Sequence, residues 1–297
     1  MGAVRSRGMA RSSAPIAGFL ALALAGAGCR QSQPDRAAAQ LTATSLRAMS
    51  CNVRYGTADD GPDGWPLRRA RLATAIAAAD PEVLGVQEAL DFQLEALATL
   101  LPDHVRIGVG RDGGARGEHA ALFIDSRAWR ILEHGDFWLS ETPATVASIG
   151  WDAALPRICT WARLESCATG ESITVWNAHF DHRGERARLE SARLIAQRIA
   201  TATGPRLLLG DLNCGEASAP LVVLRAAGLR DTFRDVHPAA TAVGTFHAFR
   251  GGTTGEKIDY VLASTGVRTL GAELLTAPAA DGRWPSDHHF VMATVEF

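Results

Sequence analysis

The chain has 297 residues, 47% of them hydrophobic, which is long for an average domain but ordinary for one large α/β enzyme with a sizeable core. Its 30 Lys plus Arg against 32 Asp plus Glu give a formal charge of −2, and no basic stripe stands out, which excludes the electrostatic footprint of a protein that grips long duplex nucleic acid. Lys257 is the sole lysine, so the arginine bias reads as composition before it reads as phosphate recognition.

In chain order, Arg5, Arg7 and Arg11 precede an acid-free apolar run, Ala14 to Ala27, too short for a permanent membrane span. Residues 1–28 therefore read as an export signal. Two cleavage readings stand side by side. Ala25-Gly26-Ala27 fits a small-x-small site, and Leu24-Ala-Gly-Ala-Gly-Cys29 resembles a bacterial lipoprotein box with Gly26 where Leu is usual, which would attach the chain to a membrane through a lipidated Cys29. Residues 29–45 lack apolar periodicity and read as a tether, leaving 46–297 as one domain, expected to be a periplasmic or membrane-anchored monomer. Without its leader the chain has 27 basic and 32 acidic residues, a formal charge of −5. Cys51, Cys159, Cys167 and Cys214 show no metal-ligand spacing; Cys159 with Cys167 is the pair to expect if one forms, and buried free thiols are the preferred reading.

Leu46 to Tyr55 reads as a strand ending in polar residues, and Gly56 to Trp65 as a loop. Pro66 opens a helix that stops near Asp80-Pro81. Glu82 to Glu88 is a buried strand, and residues 90–101 a helix with Leu90, Leu94, Leu97 and Leu101 inward. Strand-like runs follow at Val105–Val109, His119–Ile124 and Trp129–Phe137, the first two separated by the flexible Arg111–Gly117 loop. Trp138 to Ala154 is irregular, and Arg157–Leu164 with Ser172–His179 forms an antiparallel pair. Gly184 to Thr201 is an amphipathic helix. Gly204-Pro-Arg-Leu-Leu-Leu-Gly-Asp211-Leu-Asn213 reads as a core strand delivering Asp211 and Asn213 to one face by alternation. A helix near Ala219–Ala227, then Thr245-Phe-His247, Lys257-Ile-Asp259-Tyr and a last strand, Phe290 to Phe297, complete the domain. The pattern predicts an α/β (α+β) fold, two mixed sheets face to face with helices outside.

One regularity carries the functional reading. Asn52, Glu88, His179, Asp211 with Asn213, and Asp259 lie at or near strand ends, and Asp287-His288 precedes the last strand. Strand ends gathered at one sheet edge form a natural site. Glu88, Asn52, Asp211 and Asp287 supply the oxygen ligands that a hard divalent cation such as Mg²⁺ or Mn²⁺ prefers. Each signal alone has a bland explanation: a turn for Asp-Leu-Asn, a helix cap for Gln87-Glu88, a core residue for His179, a solvated strand start for Arg157. Together, in this order, they point to phosphoester hydrolysis.

Cys-Asn52-Val-Arg, Gln87-Glu88, Asn177-Ala-His179, Gly210-Asp211-Leu-Asn213, Ile258-Asp259-Tyr260 and Ser286-Asp287-His288 resemble, block by block, the endonuclease/exonuclease/phosphatase superfamily from Leu46 to Phe297, and Asp-Gly-Trp65-Pro, Phe-Trp138-Leu-Ser and Gly-Trp151-Asp152-Ala-Ala-Leu-Pro-Arg157 look like a bacterial, exported branch of it. The resemblance implies a four-layer α/β/β/α sandwich. It implies that Glu88, with Asn52 beside it and Asp287 as a second carboxylate, holds Mg²⁺ or Mn²⁺. Asp211 orients or deprotonates the attacking water, and Asn213 helps to place it. His179 and His288 contact the phosphoryl oxygens, Asp259 holds His288, and Arg157 clamps phosphate. His289 competes with His288 for its role, and alignment of Ser-Asp-His favours His288. A phosphodiester is the expected bond, borne on a phosphorylated small molecule, nucleic acid, lipid headgroup or glycan. Trp65, Trp138, Trp151 and Trp284 either stack on substrate or pack the rim.

Two rival readings compete. Asn177-Ala-His179-Phe-Asp181-His182 is one residue short of the zinc motif of metallo-β-lactamase-type hydrolases. The other rival is a surface lipoprotein using the fold for binding alone.

Overall fold

The computed structural model describes residues 43–297, so the export signal, Cys29 and the tether up to residue 42 lie outside the described residues. The elements in order are β1 (Ser45–Asn52), α1 (Trp65–Ala79), β2 (Val83–Ala89), α2 (Asp91–Leu100), β3 (His104–Ile107), β4 (His119–Asp125), β5 (Trp129–Trp138), β6 (Ile158–Ser166) and β7 (Ser172–His179). They continue with α3 (Glu185–Thr201), β8 (Arg206–Asp211), α4 (Ala219–Ala226), β9 (Leu229–Asp231), α5 (Thr232–Val236), β10 (Asp259–Ser264), β11 (Arg268–Leu275) and β12 (Phe290–Glu296). Two six-stranded mixed sheets result, ordered β11-β12-β1-β2-β4-β3 and β5-β6-β7-β8-β10-β9.

Alternation explains the layers. On β1, Leu46 and Ala48 join the core between the sheets while Met49 and Cys51 face the helix side with Leu72, Ile76 and Leu94. On β8, Leu207 and Leu209 face the other sheet while Leu208 packs with Ile195 and Ile199 of α3 and Leu221 of α4. Helices therefore cover both outer faces, and the layering is α/β/β/α as the sequence implies. Local signals set the ends: α1 carries Pro66 in its first turn and stops at Asp80, whose φ of 47° is left-handed, just before Pro81.

Along the inner faces, composition changes toward one end. β1 reads Leu46, Ala48, then Ser50 and Asn52; β7 reads Ile173, Val175, then Asn177 and His179; β8 reads Leu207, Leu209, then Asp211. At the boundary, the Nε2 of Gln87 on β2 donates to the Oδ1 of Asn177 on β7 at 2.7 Å, and the Nδ2 of Asn177 donates to the carbonyls of Val86 and Ala121 at 3.0 and 2.8 Å. Both amides are fully buried. Gly85 makes room for this bond, since a Cβ there would lie 2.9 Å from the Asn177 Oδ1 and 3.2 Å from the Cβ of Leu209.

Among the described residues four cysteines are free; Cys51, Cys159 and Cys214 are buried, and Cys167 is exposed. Cys159 and Cys167 stand at opposite ends of β6, roughly 26 Å apart at about 3.3 Å per residue, too far to bridge. The strands β9 and β11 and the short helix α5 were not foreseen, because each is short or, in β11, interrupted by a register shift between Thr269 and Gly271.

Replacing Asn177 by Ala removes three buried hydrogen bonds, two to the Val86 and Ala121 carbonyls and one from Gln87, whose Nε2 keeps Ser50 Oγ and the Gly85 carbonyl, and should lower stability by about 3 kcal/mol. Arg163→Ala, which removes an exposed pair with Glu133 on the same sheet, should cost less than about 1 kcal/mol. Equal shifts of the urea midpoint for the two variants would remove the inter-sheet amide bond from its structural role.

Candidate active site

Strand direction explains why the polar residues converge. β1 and β2 run parallel, as do β7 and β8, so Asn52, Glu88, His179 and Asp211 sit at C-terminal ends. β10 and β12 run antiparallel to β8 and β1, so Asp259 and the Asp287-His288 pair arrive at N-terminal starts. Asp211 is in register with His179 on one side and Asp259 on the other, so the three side chains project from one row of the sheet.

Two side chains reach the site by breaking alternation. Gln87 faces the other sheet, so a regular strand would turn Glu88 toward the helices. Glu88 instead has φ of 62°, within the register break between Val86 and Ala89 in the β2–β4 pairing. Such a bulge re-aims a side chain. Its carboxylate thereby accepts from the Asn52 Nδ2 at 3.0 Å and from the Tyr55 backbone N–H at 2.9 Å. Asn213 lies beyond the end of β8 with φ of 48°, so a turn and not alternation brings it beside Asp211. Its N–H donates to Asp211 Oδ1 at 2.9 Å and its Nδ2 to the Phe180 carbonyl at 3.0 Å.

At the centre is Asp211 Oδ2. It accepts from Asn52 Nδ2 at 3.0 Å and lies 3.6 Å from the Nε2 of His179 and 3.9 Å from the Nε2 of His288. The Nδ1 of His288 is 2.9 Å from Asp259 Oδ2. Asp287 faces Arg54 Nε at 3.6 Å. Between the sequence candidates His288 and His289 the geometry discriminates: His289 turns its Nε2 to the Gly252 carbonyl at 2.8 Å. Arg157 points its Nη1 at His179 Nδ1 (3.1 Å), its Nη2 at His182 Nδ1 (2.9 Å) and its Nε at Asp181 Oδ2 (3.3 Å). All nine sequence candidates are thus brought together. Asn52 and Asp259 underlie a cleft of about 380 Å³ whose walls include the other seven.

Burial, then the charge of Asp259, pushes the Asp211 carboxyl up to about 7. Burial opposes a charge on His288, but Asp259, through its charge and its hydrogen bond, together with Asp211 and Asp287, outweighs it and holds the imidazole well above its usual range. His179 goes the other way: burial and then the Arg157 guanidinium push it well below, so it is neutral. Burial also raises Asp287.

Glu88, Asp211 and His288 each offer a ligand atom, all within 4.8 Å of one another, in the one such cluster among the described residues. Two carboxylates, with Asp287 alongside and the charge of the neighbouring acids raising Asp211, suit a divalent cation, and His288 would join them only on giving up its Nε2 proton. Asn52 turns its Nδ2 to Glu88 and Asp211 and its Oδ1 to the Arg54 backbone N–H.

Several wall residues escaped sequence reading. Glu118, Arg54, Tyr55, Leu155 and Phe246 line the cleft. Glu118 was legible in principle, since it precedes β4, which starts at this edge because it runs antiparallel to β2. No tryptophan is among the wall residues. Trp138 is buried with its Nε1 on the Arg111 carbonyl, Trp65 packs on Phe92, and Trp284 packs on His247. The zinc-motif spacing is not realised as a metal site. Asn177 is spent between the sheets, and the Nδ1 atoms of His179 and His182 both accept from Arg157.

A sequence model of the Endonuclease/Exonuclease/phosphatase family matches residues 49–288. No curated protein sequence matches the chain. An endonuclease/exonuclease/phosphatase family protein from Bacteroides thetaiotaomicron is 33% identical with a TM-score of 0.80, over 86% of this chain and 96% of that one. A mannosyl-6-phosphatase from the same species is 33% identical with a TM-score of 0.78, over 85% and 100%. D. rerio TDP2, solved with a single-strand DNA product, shares the fold at 16% identity and a TM-score of 0.69, over 86% and 100%.

Asp181 anchors the Arg157 end of the cleft. Burial would raise it, but the N–H groups of Gly184, Arg183 and Ala154 and the charge of Arg157 outweigh burial and hold it at about 2. Its folded value lies below its unfolded one, so its stabilisation is whole above about pH 4 and is lost as pH falls toward 2. The gap in urea-unfolding free energy between the natural protein and Asp181→Asn should be about 1 kcal/mol narrower at pH 3 than at pH 6. A gap independent of pH would contradict this.

Proposed function

The chain belongs to the endonuclease/exonuclease/phosphatase family of phosphoester hydrolases, and on that premise we propose that it is an exported, divalent-metal-dependent phosphatase whose substrate carries phosphate on a small ring such as a sugar. The observation that carries the reading is the placement of one buried carboxylate oxygen of Asp211 between the Nε2 atoms of His179 and His288. An ionised Asp211 can accept a proton from a water, and the two imidazoles flank the position where phosphoryl oxygens would lie. Asp259 orients His288 through Nδ1, and Asn213, fixed on Asp211 and Phe180, helps to position the water. A Mg²⁺ or Mn²⁺ ion held by Glu88, with Asn52, Asp287 and the neighbouring Asp211 and His288 beside it, would polarise a phosphoryl oxygen and stabilise the leaving oxygen.

The substrate class has separate support. The similarity to a mannosyl-6-phosphatase spans that protein's full length. The cleft is compact, and its mouth exposes two rings, Phe246 (48%) and Tyr55 (37%). Phe246 is held by a backbone bridge to His288, its ring 5.1 Å from the imidazole. A rigid, half-exposed phenyl group suits the C–H face of a sugar. The leader, residues 1–28, supports a site of action outside the cytoplasm, free or held at a membrane through Cys29.

Phosphate release from mannose 6-phosphate and p-nitrophenyl phosphate should require Mg²⁺ or Mn²⁺ and cease with EDTA, and Asp211→Ala should lower kcat on the order of 10³-fold. Faster turnover of bis-p-nitrophenyl phosphate would return the chain to the phosphodiesterase expected from sequence. No turnover of either ester with any divalent ion would sink both.

Phe246→Ala should raise KM for a sugar phosphate about fivefold and leave methyl phosphate unaffected. An equal effect on both would remove its stacking role.

A further inference from the structure

We infer that Arg157 is a positioning residue that fixes His179 and His182 as neutral imidazoles donating through Nε2, and that it does not itself clamp phosphate. A guanidinium carries only donors. Its Nη1 is 3.1 Å from His179 Nδ1 and its Nη2 is 2.9 Å from His182 Nδ1, so both ring nitrogens must accept and therefore carry no proton. Nε2 is the single remaining proton site on each ring. For His179 that atom is the one 3.6 Å from Asp211 Oδ2, facing the reaction centre.

The frame around Arg157 holds the fork still. Its side chain is 4% exposed, its Nε is set on Asp181 Oδ2, and its carbonyl accepts from the Leu139 N–H at 2.8 Å. Asp181 is itself fixed by the N–H groups of Arg183 and Gly184 at 2.9 and 2.7 Å. Glu118 Oε2 stands 3.9 Å from Nη1 and balances the charge. With all three nitrogens committed, the planar fork serves two rings three residues apart, which a lysine ammonium on a flexible stem could not do.

The consequence is an asymmetry across Asp211. His288 faces the acceptor Asp259 with Nδ1, and His179 faces the donor Arg157 with Nδ1. One imidazole therefore carries its proton on Nδ1 and the other lacks one there. The two histidines that flank the same carboxylate oxygen are not equivalent, and partners of opposite charge make them so.

This rests on the phosphatase reading only for its effect on turnover; the tautomers follow from contacts within the chain. In protein labelled with ¹⁵N-histidine, long-range proton–nitrogen spectra should show His179 and His182 as neutral rings protonated on Nε2. Arg157→Met should release His179 from that tautomer and lower kcat on the order of 10- to 100-fold, the usual cost of losing a group that orients an active-site imidazole, with KM little changed. Arg157→Lys should restore one of the two rings and not both.

A wild-type His179 that is cationic or protonated on Nδ1 would overturn the inference. So would Arg157→Met raising KM with both tautomers intact, the signature of a phosphate clamp. The wild-type spectrum needs no variant, so misfolding of either substitution leaves a decisive measurement. If the tautomers are as stated but no phosphoester is turned over, the proposed function fails and the assignment for Arg157 stands.

Discussion

A single amide-to-amide hydrogen bond between the sheets, Gln87 to Asn177, sets the geometry on which the rest depends. The next residue after Gln87 is Glu88, and the second after Asn177 is His179, so the bond fixes the separation of two strands at the point where each delivers a functional group. Its location is the boundary between an apolar inter-sheet core and a polar end. Two buried amides unpaired would be costly, and paired they specify one register of one sheet over the other. The missing side chain of Gly85 is part of the same device, because the sheets must approach closely for the amides to meet.

Beyond that boundary the site accumulates acids faster than it neutralises them. Asp211, Asp259, Asp287 and Glu88 share a small volume with His288 and Arg54 as the nearby cations. Desolvation and mutual repulsion drive Asp211 up to about 7, while the same field keeps His288 protonated. His179 sits beside the positive end of this arrangement and is kept neutral. The cleft thus holds opposite protonation habits within a few ångströms, set by which charged neighbour each imidazole faces.

The layers and much of the site were legible in sequence, for a physical reason: on β1, β7, β8 and β10 strict alternation puts core residues and functional residues on the same inner face, so polar residues at strand ends announce themselves. What stayed hidden lies where the backbone leaves that rule. Glu88 could be named but not aimed, since a left-handed residue in a bulge decides its direction. Asn213 reaches the cleft by a turn. Arg157 was identifiable as a cation near the site, yet its partners depend on the fold bringing Asp181 and His182 around the end of β7. Phe246 sits outside the named strands, in a loop whose path no periodicity encodes, and Trp65, Trp138 and Trp284 turned out to be packed.

Phe246 and His288 are joined by a backbone bridge, and the same segment is tied again where His289 N–H meets the Thr245 carbonyl at 2.7 Å and His247 N–H meets the Asp287 carbonyl at 2.9 Å. The exposed ring of Phe246 and the imidazole of His288 are therefore one mechanical unit. The opposite wall, around Leu155, is tied by side chains as well: the Ala154 N–H holds Asp181, and Arg157, two residues after Leu155, reaches His179 Nδ1 at 3.1 Å. Remodelling the Thr245–Lys257 loop would move His288 with it, and remodelling the segment around Leu155 would move the Arg157 fork, so both walls of the cleft are constrained to change slowly.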